Sequence, residues 1–183
     1  MEYRKIVQLK DGRICCLRNG TEQDGKAALE NFILVHAQTD YLLSYPDETR
    51  FDAEQEAQFL KAKAESSREI EVLAEIDGEV AGLAGITSLG DKDKIKHRAS
   101  FGISVDRKFW SLGVGRALTE ACIECARRAG YAQLELEVVA DNERAVALYK
   151  SLGFVEYGRN PRGFRSRSAE WQALLLMRRE LDD

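Results

Sequence analysis

The sequence predicts a mixed α/β fold, with a mostly antiparallel central sheet flanked by helices. Three observations carry this expectation. Strand-like segments joined by short turns fill residues 70–105, the pattern of an antiparallel meander. A strand–helix–strand pattern then covers residues 98–139 and adds a parallel or crossover step to that sheet. No internal repeat, low-complexity tract or Pro/Ser-rich linker interrupts the chain, and proline occurs only at Pro46 and Pro161, so residues 1–183 read as one domain.

The elements follow in order. Residues 14–18 are apolar and suit a first strand. Thr21, Glu22, Gln23 and Asp24 resemble a helix start with Thr21 as N-cap, after which Ala28, Leu29, Phe32, Ile33 and His36 recur at helical spacing. Residues 41–49 read as a loop with a Pro46-Asp47 turn, and Asp52 with Gln55 forms the cap of a second helix running to about Glu65. Residues 70–76 and 79–89 are strands around an Asp77-Gly78 hairpin turn. Residues 91–94 alternate Asp and Lys in a solvated turn, and residues 98–105 form a third antiparallel strand. A helix over 115–129 stops at Gly130, and residues 133–139 set Leu134, Leu136 and Val138 against Glu135 and Glu137 on the other face of a strand. Asn142 caps a short helix ended by Gly153, with Phe154 placed for the hydrophobic contact of such a stop. Residues 154–157 and 173–178 close the sheet.

Composition narrows the function. Of 183 residues, 44% are hydrophobic and 32% charged, which is globular rather than disordered. Against 31 acidic residues stand 27 Lys and Arg, a formal charge of −4, and the basic footprint of a nucleic-acid binder is missing. Arg159, Arg162, Arg165 and Arg167 form a local basic run, read as an ordinary exposed loop in preference to an anion site. Residues 1–5 lack the apolar core of a signal peptide, and no apolar run is long enough to span a bilayer, so the expectation is a cytoplasmic protein without membrane contact. Cys15, Cys16, Cys122 and Cys125 fit small buried side chains in a reducing compartment better than a redox or zinc site, and no metal is expected.

The chemistry is concentrated in two motifs. Between Val105 and Leu118 a strand runs into a tight loop, Trp110-Ser111-Leu112-Gly113-Val114-Gly115, and then directly into a helix. The first backbone N–H groups of that helix have no intrahelical partner, and together with the helix dipole they form an anion site. Glycines at 113 and 115 let a phosphate approach the backbone closely. A Walker loop is excluded because Arg116 and Ala117 follow Gly115, and a dinucleotide fingerprint is excluded because Leu118 stands where its third glycine belongs. Taken alone, the glycines could equally serve only to tighten the turn. The second motif runs from Asn142 through Tyr149 to Phe154.

Together, residues 110–117 and 142–154 resemble the acetyl-coenzyme A site of the GNAT N-acetyltransferase superfamily. The signature is Gln/Arg-x-x-Gly-x-Gly/Ala, and the chain departs from it where Trp110 replaces Gln or Arg. The similarity is close over about 101–154, and elsewhere only the order of elements agrees. It implies a GNAT-like sheet whose splayed strands form the acetyl-CoA cleft, with the gap opening at Val105 beside the strand at 134–139. It also implies that Leu112, Gly113, Val114, Gly115, Arg116 and Ala117 hold the diphosphate and that the Val105 N–H faces the thioester carbonyl. Asn142 matches a pantetheine contact and is equally natural as a helix cap. Tyr149 matches the family's acid near the coenzyme sulfur, the alternative being a core tyrosine beside the stripe of Ala145, Leu148 and Leu152.

The base is more open. Glu137 has the spacing to Asn142 and Tyr149 of the catalytic glutamate in bacterial ribosomal-protein alanine N-acetyltransferases, with a solvated strand face as its alternative. His97 ranks below it, and Glu54 and Glu56 read as solvated charges. The implied activity is direct transfer of an acetyl group from acetyl-CoA to a primary amine of a small molecule or peptide, without a covalent enzyme intermediate and without metal. The rival reading is a non-catalytic acyl-CoA-binding or sensing module. The acceptor pocket is expected from residues 32–45, 98–105 and 158–168, and a homodimer is compatible with the family.

Overall fold

The computed structural model describes residues 1–168 and 170–181. Among the described residues eight strands form one sheet: β1 (Arg4–Gln8), β2 (Ile14–Asn19), β3 (Ile70–Ile76), β4 (Glu79–Ser88), β5 (Arg98–Val105), β6 (Gln133–Val139), β7 (Val155–Arg165) and β8 (Trp171–Glu180). Their spatial order is β1-β2-β3-β4-β5-β6-β8-β7. Every neighbouring pair is antiparallel except β5 and β6, which run parallel. This is the mixed, mostly antiparallel sheet expected from the meander and the strand–helix–strand unit.

Among the described residues four α-helices flank it: α1 (Gly25–Gln38), α2 (Ala53–Glu65), α3 (Val114–Arg128) and α4 (Glu143–Ser151). Cross-strand partners share a face, so the register sorts side chains between two layers. On one face Leu73 and Leu83 pack with Ala28 of α1 and Leu60 of α2. On the other, Ile70, Val72, Ile86, Phe101, Leu134 and Leu136 pack with Leu118 of α3, Tyr149 of α4 and Phe154.

Local signals are met closely. Asp77 and Gly78 both have positive φ, 53° and 81°, which is the twist-matched turn of a two-residue hairpin. The Asp52 side chain accepts from the Gln55 N–H at 2.9 Å, while Gln55 accepts from the Asp52 N–H at 3.0 Å. Gly153 adopts φ +82°, its N–H donates to the Lys150 carbonyl, and the Phe154 N–H donates to Tyr149. Those two bonds form a Schellman stop and turn Phe154 back against the helix it ends.

Three features differ from the sequence reading. Strand β1 precedes the expected first strand, and it escaped notice because an exposed edge strand needs no apolar alternation. Strands β7 and β8 extend well past 154–157 and 173–178, because their polar residues project into solvent along a long edge hairpin. Helical structure after Thr21 begins as a short 3-10 turn, Glu22–Asp24, before α1.

Candidate active site

Strands β5 and β6 are hydrogen-bonded only where Arg98, Ala99 and Ser100 face Gln133, Leu134 and Glu135. Beyond that level β5 continues to Val105 and β6 to Val139 without pairing to each other. The closed end is clamped by the Arg98 guanidinium on both oxygens of Glu135, at 2.5 and 2.8 Å, with the Tyr157 hydroxyl donating to the same carboxylate at 3.2 Å. The open end leaves main-chain N–H and C=O groups facing a gap, a template for an extended ligand to pair with.

The gap leads to the first turn of α3. Asp106, 3% exposed, anchors the loop: Gln38 donates to its carboxylate at 2.9 Å and accepts from the Arg107 N–H at 2.8 Å. The Trp110 indole N–H donates to the Val105 carbonyl at 2.7 Å, and the Arg107 and Arg144 guanidinium groups lie over the Trp110 ring at 5.5 and 4.8 Å. Trp110 thus ties the loop to the end of β5, a structural task for the residue that departs from the signature.

Gly113 is the N-cap of α3 at φ +103°, a conformation that requires glycine. The first intrahelical bond runs from the Ala117 N–H to the Gly113 carbonyl, which leaves the N–H groups of Val114, Gly115 and Arg116 without helical partners. A Cβ on Gly113 would meet no atom within 4 Å, and one on Gly115 would meet only Leu148 at 3.5 Å and Val105 at 4.0 Å. The cradle is therefore bare backbone, and its floor is shared by β5, α3 and α4. Leu112 and Ala117 flank it half-buried, and Arg116 is exposed, donating to Ser151 at 2.7 Å.

Asn142 caps α4, its side chain accepting from the Ala145 N–H at 3.3 Å. Two turns later Tyr149 is buried, with Phe101 of β5 edge-on at 6.2 Å and Phe154 at 5.9 Å between ring centroids. Burial pushes its phenol well above the ordinary tyrosine range, so it keeps its proton at neutral pH. The hydroxyl makes no hydrogen bond among the described residues, yet it is not one of the fully enclosed unpaired polar atoms, so it opens onto accessible space.

Glu135 and Glu137 have separate roles in the structure. Glu135 is consumed by the Arg98 clamp, whereas Glu137 is exposed and carries no ion pair or hydrogen bond among the described residues. Glu137 lies two residues past the last β5–β6 pair, on the α1/α2 side of the sheet and at the edge of the gap. His97 is exposed at the closed end, where its carbonyl accepts from Ala132 and Gln133. About 26 Å of extended strand separates it from Val105, so it does not join the other residues.

On the α1/α2 face, a pocket of about 600 Å³ opens beside the gap. Phe32, Leu42, Phe51, Phe59, Leu83 and Ile103 supply its apolar walls. It also contains Glu71, which no motif had singled out, and Glu56, which the sequence reads as a solvated charge. Glu54 is exposed, as expected of a solvated charge, but Glu56 shares the helical stripe of Leu60 and Lys63 and turns toward the sheet. Burial raises the Glu56 carboxyl above the ordinary range. His36, between this pocket and the next, donates its Nδ1–H to the Phe32 carbonyl at 2.7 Å, and burial lowers its pKa, so it is neutral at pH 7.

A second hollow, about 690 Å³, lies between the end of α1, the Arg107–Trp110 loop and the β7–β8 connection. That connection is held down by Ser168 donating to Asp40 at 2.5 Å and Arg167 paired with Asp47 at 2.9 Å. Of the basic run, Arg167 therefore serves to fasten a loop, and Arg165 lies over the Trp171 ring. All four cysteines are free thiols, and among the described residues no cluster of three or more His, Cys, Asp or Glu is arranged to hold a metal.

Comparison with known proteins agrees with this geometry. The profile of the Acetyltransferase (GNAT) family matches residues 32–154. An uncharacterized protein of Mycobacterium leprae is 39% identical over 101 residues, 55% of this chain and 26% of that protein. The ribosomal protein bS18-alanine N-acetyltransferase of Escherichia coli is 50% identical over 56 residues, 31% of this chain and 38% of that enzyme. The chain thus matches well under half the length of either relative. A crystal structure of a GNAT-family acetyltransferase from Streptococcus pneumoniae superimposes with a TM-score of 0.86 at 28% identity, covering 91% of this chain and 99% of that one. A profile match over most of the chain, on a sheet that parts between β5 and β6, shows that the chain belongs to the Acetyltransferase (GNAT) family.

Proposed function

We propose that the chain transfers an acetyl group from acetyl-CoA to a primary amine by direct attack, in the cytoplasm. The observation that carries this reading is the parting of β5 and β6 against the bare first turn of α3. Bound there, acetyl-CoA supplies an activated acetyl thioester. The N–H groups of Val114, Gly115 and Arg116, with Leu112, Gly113 and Ala117 around them, bind the diphosphate. The free edges of β5 and β6 orient the pantetheine arm as an added strand, with Asn142 beside it. The Val105 N–H stabilises negative charge on the carbonyl oxygen. Tyr149 holds a proton for the departing sulfur, and Glu137 at the mouth of the gap passes protons to water. The buried thiols of Cys122 and Cys125 sit on α3, and burial pushes both up, which disfavours a thiolate nucleophile.

Arg116→Glu tests the diphosphate cradle. Residue 116 is the third position of α3, where a glutamate suits the helix dipole, so the fold should hold. The same charge repels a diphosphate, and the acetyl-CoA dissociation constant in calorimetry should rise about tenfold, equivalent to about 1.4 kcal/mol. Unchanged affinity with an unchanged melting temperature would place the coenzyme elsewhere.

A further inference from the structure

The apolar pocket on the α1/α2 face contains a carboxylate that the fold does not use. Glu71 stands on β3 opposite Gly85 of β4, which is itself opposite Gly102 of β5. These three residues form one row across the sheet, and two of them lack side chains. An added Cβ on Gly85 would fall 2.0 Å from Glu71 Oε2, so the carboxylate lies folded over that glycine. A Cβ on Gly102 would meet nothing within 4 Å. The row therefore runs open from the Glu71 carboxylate to β5 at the level where β5 and β6 have just parted. Two strand spacings, about 10 Å, separate the backbones of Glu71 and Gly102, and the bent side chain covers roughly half of that.

The Glu71 carboxylate makes no hydrogen bond and no ion pair among the described residues; its backbone carbonyl accepts from the Gly20 N–H at 2.8 Å. Its neighbours offer little compensation. Lys63 of α2 is the nearest cation, but its ammonium is committed to Glu69 and Thr87, both at 2.7 Å, and to the Ile86 carbonyl at 3.3 Å. Glu56, also of α2, adds a like charge. His36 of α1 is neutral, β4 and β5 present Gly85, Thr87, Gly102 and Ser104 on this face, and Cys122 of α3 lies on the opposite face of the sheet.

We propose that Glu71 receives the ammonium of the acceptor and takes one proton from it, and that the acceptor is a primary amine carried on an apolar or aromatic body. This rests on the acetyltransferase reading for the step that follows. The proton step itself is simple. One N–H bond of the ammonium breaks, an O–H bond forms on Glu71, the electron pair stays on nitrogen, and the carboxyl later returns the proton to solvent. Glu137, exposed at the mouth, lies on that exit route. Phe32, Phe51 and Phe59 enclose the amine's body and fix the apolar preference.

The electrostatics suit this role. Burial, opposed in part by the Lys63 ammonium and reinforced by Glu56, pushes the Glu71 carboxyl from 4.5 up to about 8, so proton uptake from an ammonium is far easier than for an ordinary glutamate. The same shift lowers stability. Above pH 4.5 the unfolded chain has released this proton while the folded chain retains it, so the contribution falls as pH rises toward about 8. A carboxylate that weakens the fold and has no partner among the described residues is well explained by a ligand.

The test measures 2-phenylethylamine against wild type, Glu71→Gln and Glu137→Gln by calorimetry and by acetyl-CoA thiol release between pH 6 and 10, with ethanolamine as the polar comparison. At pH 9, where the folded carboxyl is ionised, Glu71→Gln should weaken 2-phenylethylamine binding at least about tenfold and lower kcat/KM about 10²-fold, and it should abolish the rising limb near pH 8. It should also raise the melting temperature at pH 8 more than at pH 5, a control that the variant folds. Ethanolamine should bind weakly to every form. Glu71-dependent binding without thiol release would support the pocket assignment and overturn the acetyltransferase reading. Thiol release that survives Glu71→Gln with its pH limb intact would overturn the assignment and leave that reading standing, as would stronger binding of ethanolamine. Failure of 2-phenylethylamine to bind overturns the assignment whether or not other amines react.

Discussion

Tyr149→Phe should lower kcat by about 10²-fold or more while leaving acetyl-CoA affinity within about twofold. The substitution removes one oxygen and keeps the ring that packs against Phe101 and Phe154. That oxygen has no hydrogen bond to lose among the described residues, so the fold loses little when it goes. What disappears is the proton held beside the gap, at a site where burial keeps the phenol un-ionised through neutral pH. Because the effect belongs to the departing sulfur, it should be larger in single-turnover chemistry than in coenzyme binding. Stopped-flow thiol release and calorimetry on the same preparation separate the two. If kcat is unchanged across the pH range while the ring packing is intact, Tyr149 is a core residue and the acid lies elsewhere.

Phe154→Ala should destabilise the protein by about 3–5 kcal/mol in urea unfolding, the range for a buried aromatic truncated to alanine. Phe154 is 2% exposed and meets both Phe101 of β5 and Tyr149 of α4. Its backbone completes the Schellman stop of α4, so the side chain is fixed at the point where α4 returns the chain to the sheet. The cavity would open directly under Tyr149, and kcat should fall along with stability because the phenol loses one of the two rings that orient it. Phe154→Leu, which refills most of the volume, should recover most of the stability and less of the turnover. A loss below about 1 kcal/mol for Phe154→Ala would mean that the α4 stop is not a packed element of the core.

These residues also show where the sequence was informative. The stop at Gly153 and Phe154, the caps at Asp52 and Asn142 and the Asp77-Gly78 turn are local devices whose chemistry is complete within a few residues, and they are readable one at a time. The glycine loop and the Tyr149 helix lie within one strand–helix–strand–helix stretch, so their closeness follows from connection rules. Glu71 is different. In sequence it is a lone acid between Ile70 and Val72, indistinguishable from a solvated strand position. Its meaning depends on the register that sets it against Gly85 and Gly102, and on α2 lying over that row. Glu56 was misjudged for a related reason: its helical stripe carries Lys63, which is buried through Glu69 and Thr87, so charge on that stripe does not signal solvent. β1 was missed because pairing to β2, rather than any apolar pattern of its own, makes it a strand.

The most direct test of the central claim is thiol release from acetyl-CoA by the purified protein with a panel of primary amines, amino acids and peptides. The account predicts release that depends on the amine, is greatest for apolar and aromatic amines, and is accompanied by acetylated product in equal amount. Acetyl-CoA that binds at the α3 cradle and yields no thiol with any amine would contradict it and leave a coenzyme-binding module.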